Sequence, residues 1–103
     1  MRMLVTVEMD TEKTNEAARN GTLGQTIQAI LEEQKPAAAY FVAHNGKRTG
    51  VLIVDLQENS DIPALAEPWF LAFGAAVVAT PAMVIEDLAK ASPAIAAAAE
   101  KYG

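Results

Sequence analysis

AAAYFVAHNGKRTGVLIVDL, residues Ala37 to Leu56, is two apolar runs joined by Asn45-Gly46. Asn-Gly is the strongest local signal for a two-residue hairpin, since a type I′ turn needs positive φ at both central residues and these two types tolerate it. The register follows from the turn. His44 lies opposite Lys47, Val42 opposite Thr49, Tyr40 opposite Val51 and Ala38 opposite Ile53, all on one face. The other face carries Ala37, Ala39, Phe41 and Ala43 against Arg48, Gly50, Leu52 and Val54, because side chains alternate along a strand.

Upstream, Arg2 to Met9 alternates, with Met3, Val5, Val7 and Met9 apolar, and predicts a half-buried strand. Asp10-Thr11 is placed to cap a helix, Asn20-Gly21 interrupts it, and Leu23, Ile27, Ile30 and Leu31 recur at helical spacing as far as Gln34. The segment reads as one broken helix or as a short helix followed by a longer one. Downstream, Ile62, Leu65, Trp69 and Phe73 form a helical stripe, capped by Ser60 or Asp61, with Pro63 in the first turn and Gly74 at the end. Pro68 inside it predicts a kink or a second start. Ala75 to Thr80 reads as a fourth strand limited by Pro81. Met83 to Tyr102 reads as an alanine-rich helical extension split at Ser92-Pro93.

Strand, helix, strand, strand, helix, strand predicts an α+β fold: the ferredoxin-like βαββαβ arrangement, a four-stranded antiparallel sheet with both crossover helices on one face and the first strand between the third and fourth. One domain spans residues 1–103, with 83–103 as its C-terminal helical extension. The layer facing the helices would be Met3, Val5, Val7, Phe41, Leu52 and Val54, under Ile27, Ile30, Leu31, Leu65, Trp69 and Phe73. Ala37, Ala39, Ala43 and Gly50 would let helices approach closely there.

The opposite face would carry Leu4, Thr6, Tyr40, Val42, Thr49, Val51, Ile53 and Val78, with charge only at its rims. Monomers rarely leave so much contiguous apolar surface wet, so a homodimer through this face is expected. In element order and face pattern the chain resembles the dimeric α+β barrel superfamily. That resemblance implies two sheets paired into a barrel; its members include small monooxygenases and muconolactone isomerase-like enzymes. No family-specific motif accompanies it, so it implies an architecture and not a chemistry.

Composition narrows the function classes. The 103 residues carry a formal charge of −5 and no cysteine, which disfavours nucleic acid and anionic membranes and excludes disulfides and thiolate chemistry. The single His44 leaves no histidine-rich metal site within one chain, and neither a metal nor a cofactor is expected. The amino terminus meets Glu8 and Asp10 too early for the apolar core of a signal peptide, and no run would cross a bilayer, so a cytoplasmic location is expected. An acylphosphatase loop, RNA-binding aromatics, paired metal-binding cysteines and glycine-rich nucleotide loops are all missing.

Candidate site residues gather at the strand ends. Glu8, His44 and Lys47 approach one rim, where Glu8 could orient His44 for general base work with Tyr40 two residues away. The simpler reading carries more weight: Lys47 pairs with Glu8, His44 flanks an exposed turn, and Arg2 with Asp55 forms a weak ion pair at the other rim. Tyr40, Thr49, Trp69 and Phe73 are candidates for binding a small organic ligand, though the spacing of Trp69 and Phe73 suits core packing better. The residues thus support a homodimeric small-molecule-binding or accessory module first. A cofactor-independent enzyme of the small monooxygenase or isomerase type is the alternative.

Overall fold

A computed structural model describes residues 1–103. Its elements are β1 (Arg2–Glu8), α1 (Thr11–Asn20), α2 (Leu23–Gln34), β2 (Ala38–His44), β3 (Lys47–Asp55), α3 (Asp61–Phe73), β4 (Ala76–Pro81), α4 (Ile85–Lys90) and α5 (Ser92–Tyr102). The strands form one four-stranded sheet in the order β2-β3-β1-β4, every neighbouring pair antiparallel. This is an α+β fold compatible with the ferredoxin-like pattern, with β1 between β3 and β4 as expected.

The hairpin has the anticipated turn. Asn45 at φ 54° and Gly46 at φ 72° occupy the left-handed region, and Ala38, Tyr40, Val42 and His44 face Ile53, Val51, Thr49 and Lys47. The first crossover consists of two helices. At the start of α1 the Asp10 carboxylate accepts from the Lys13 backbone N–H at 3.0 Å, satisfying one of the donors a helix start leaves free. Gly21 at φ 75° ends that helix.

The core lies between the sheet and the helices: Met3, Val5, Val7, Met9, Ile30, Leu52, Val54, Leu65, Trp69, Phe73 and Ala75. Trp69 and Phe73 pack with ring centroids 6.1 Å apart. Phe41, expected in this layer, is 46% exposed. It does point to the helix side: a Cβ added at Gly50 would stand 3.1 Å from the Phe41 ring and 3.8 Å from Val7. The helices leave most of β2 uncovered: Ala39 packs against the core, but Tyr40 to His44 are all exposed. Gly50 therefore makes room for the Phe41 ring of the adjacent strand, not for a helix. Met9 and Ala75, each one step beyond a strand, take the places at the core's end.

Three more expectations change. Of the kink or second start expected at Pro68, the second start does not occur: α3 is one helix through that residue. Proline leaves the Ala64 carbonyl without its helical donor, and Gln34 supplies a substitute, its Nε2 lying 3.4 Å from the Ala64 oxygen and 2.8 Å from that of Leu65. Pro81 is included in β4 as its last residue, tolerable because β4 is an edge strand. Arg2 and Asp55 are register partners but form no ion pair, the one in the chain being Lys47 with Glu8.

The C-terminal arm stands apart. No residue of α4 or α5 is buried. The radius of gyration is 17.3 Å and the molecule measures 59 × 28 × 20 Å, whereas a compact chain of this length would have a radius near 13 Å. No helix is long and apolar enough to cross a membrane.

Candidate functional site

The face of the sheet away from α1, α2 and α3 presents several exposed apolar side chains. Alternation from the turn and from β1 brings Leu4, Thr6, Tyr40, Val42, Val51, Ile53 and Val78 onto it, and the pairing puts Thr6 between Val51 and Val78, with Val51 also beside Tyr40. Leu4 is 39%, Val42 47%, Val78 58% and Tyr40 64% exposed. The centre of the face has no charged side chain. Its polar groups are the hydroxyls of Tyr40, Thr6 and, opposite Leu4 on the β4 edge, Thr80.

Charge is confined to the rim by the turn. Lys47 Nζ lies 3.9 Å from Glu8 Oε1, both side chains partly exposed. Thr49, between Glu8 and Val42 in the register, is only 2% exposed and donates its hydroxyl to the Lys47 carbonyl at 3.1 Å. Its hydroxyl is thus engaged within the chain. His44 is exposed. Glu8 is joined to Lys47 and makes no hydrogen bond to the imidazole. Within one chain neither His44 nor Tyr40 lines a cavity. Trp69 and Phe73, at 0% and 1% exposure, are core residues enclosed by their neighbours, and Phe70 beside them is turned partly to solvent.

On the helix side, a groove of about 270 Å³ opens beside the uncovered edge strand, lined by Met9, Ile27, Phe41, Val42, Ala43, Arg48 and Thr49. Arg48 is committed there: its Nη1 donates to Thr14 Oγ1 at 2.9 Å and to Asn15 Oδ1 at 2.8 Å. Thr14 in turn donates to the Asp10 carbonyl at 2.8 Å. The guanidinium therefore ties the first turn of α1 to β3. An arginine among the apolar residues of the helix-facing side was the available sequence signal for this tie; its partner, a threonine on a polar helix, carried none.

A second cleft of about 290 Å³ lies between α2, the end of β3 and α3, with the carboxylates of Glu33, Asp55 and Asp61 at its wall. Asp61 Oδ2 already accepts the backbone N–H groups of Gln57 and Glu58 at 3.1 and 3.0 Å. No group of three or more histidine, cysteine, aspartate or glutamate residues is placed to hold a metal ion. Gln34 borders this cleft and accepts from the indole Nε1 of Trp69 at 3.2 Å. The chain matches no protein-family model and no curated protein. The reading of its function therefore stands on geometry.

Proposed function

We propose that the protein is a homodimeric binding module in which two copies pack their open sheet faces together as an α+β barrel, holding a small and mostly apolar organic molecule between them. The observation that supports this is the uncharged face of Leu4, Tyr40, Val42 and Val78, exposed in the single chain. Burial of such a face is favourable at roughly 25 cal/mol per Å² of apolar surface. A two-fold axis parallel to the strands, between the facing sheets, also reverses the order β2-β3-β1-β4 in the second copy. The β4 strand of each chain then meets β2 of the other, antiparallel, and both open sheet edges are closed. Tyr40, Thr6 and Thr80 would be the hydrogen-bonding groups facing the enclosed molecule. No charged group lies at the centre to bind an ionised one.

Sedimentation of the wild type beside Val78→Glu tests this reading. Val78 is 58% exposed, so a carboxylate there costs the single chain little, while in the paired sheets it would be buried without a partner. The wild type is expected to sediment as a dimer at micromolar concentration and Val78→Glu as a folded monomer. A wild type found as single chains under those conditions refutes the reading. Thermal shift with small neutral organic compounds tests the ligand. A compound at 100 times its dissociation constant should add about 2.7 kcal/mol to stability, and Tyr40→Phe should reduce the response to compounds bearing an oxygen acceptor.

A further inference from the structure

The geometry points to a contact between the C-terminal arm of one copy and the uncovered β2 strand of another. This inference rests on the paired-sheet reading. Along the arm Met83, Ile85, Leu88, Ile95 and Tyr102 are exposed by 69%, 72%, 44%, 55% and 79%. The α4 helix has 6 residues and α5 has 11, both shorter than the roughly 12–15 that an isolated helix needs to persist in water. Their own domain buries none of their residues, and a surface elsewhere would supply the missing burial.

Area argues that this surface belongs to a second copy. Four strands about 4.8 Å apart and about 23 Å long give the face a flat footprint of roughly 440 Å², and a typical stable interface buries ~800 Å² of accessible surface per partner, so added contact area beyond the sheet would strengthen the pairing. The two arm helices, together about 26 Å long and about 10 Å wide, add roughly 260 Å². Each chain would contribute both an arm and a surface receiving one, so the arms would more than double the footprint of the paired sheets. Topology says where the arm lands. It follows Pro81 at the end of β4, and the barrel pairing sets β4 beside the partner's β2. There Phe41 and Ala43 are exposed, and with Ile27 they border a groove that no helix of their own chain fills.

Two measurements on the full-length chain test the contact. In an equimolar mixture of isotopically light and heavy chains, an amine-reactive cross-linker should join Lys35, three residues before β2, to Lys90 or Lys101 of the arm in mixed-isotope pairs. In sedimentation, Leu88→Glu/Ile95→Glu should raise the dimer dissociation constant about tenfold or more, with the fluorescence of the single tryptophan, buried in the core, unchanged. A wild type that sediments as a monomer overturns the paired sheets and the arm contact together. A wild-type dimer whose constant the arm variant leaves unmoved, or whose arm lysines link only within one chain, overturns the arm contact and leaves the paired sheets standing.

Discussion

Gln34 offers the sharpest test of how the helix layer is held. Its side chain spans two helices: Oε1 accepts from Trp69 Nε1 at 3.2 Å and Nε2 donates to the Leu65 carbonyl at 2.8 Å. Trp69 is 0% exposed, so its indole N–H cannot turn to water when the acceptor is removed. Gln34→Leu keeps most of the side-chain volume and deletes both bonds, together with the longer 3.4 Å contact to the Ala64 carbonyl. An unsatisfied buried donor costs about 1–3 kcal/mol, and the Leu65 carbonyl can still accept from a backbone N–H of its own helix, so a loss of about 2 kcal/mol is expected. With an unfolding entropy of about 2.1 cal/mol/K per residue, that loss lowers Tm by roughly 10 °C. Urea unfolding followed by the fluorescence of Trp69 reads both the stability and the site directly. Because apolar substitution of both partners can be nearly neutral, Gln34→Leu/Trp69→Phe should show a favourable coupling relative to the sum of the single variants. A Gln34→Leu variant within about 0.5 kcal/mol of wild type, the range of ordinary surface substitutions, would refute the proposed role of this amide.

Other substitutions probe the local signals. Gly46→Ala introduces a side chain at φ 72° and should cost about 1–2 kcal/mol in urea unfolding, with nothing within 4 Å to add a clash. Asp10→Ala removes the acceptor for the Lys13 N–H and should cost about 1 kcal/mol; Asp10→Ser should recover most of it in the same assay. Lys47→Met should change stability by less than about 1 kcal/mol, because its pair with Glu8 is partly exposed and 3.9 Å long, and any difference should disappear in 1 M salt as the Debye length falls to about 3 Å.

The hairpin register and the direction of each strand residue could be read from residues 1–81 because each depends on neighbours in the chain, and the strand order followed from the succession of strands and crossover helices. A two-residue turn of Asn45 and Gly46 sets the phase of β2 and β3, and alternation then assigns Tyr40 to one face and Phe41 to the other. The same local logic separates α1 from α2 at Gly21 and α4 from α5 near Pro93. Of the candidate site, the proximity of Glu8 to Lys47 was legible from strand ends. The burial of Thr49 was not, since it depends on what surrounds Thr49 once the strands are paired.

What only the tertiary structure decided concerns coverage and distant partners. Periodicity says which way Phe41 points, but whether a helix lies above it depends on where α1 and α2 cross the sheet, and they leave β2 bare from Tyr40 onward. Pro68 is a local warning of a broken helix; Gln34, 34 residues away in the chain, supplies the missing donor and α3 continues. Alanine-rich segments are helical by local preference, yet only the packed domain shows that α4 and α5 find no place on it. Local backbone preferences and side-chain alternation are properties of consecutive residues, whereas burial is a property of every surface the folded chain brings within reach.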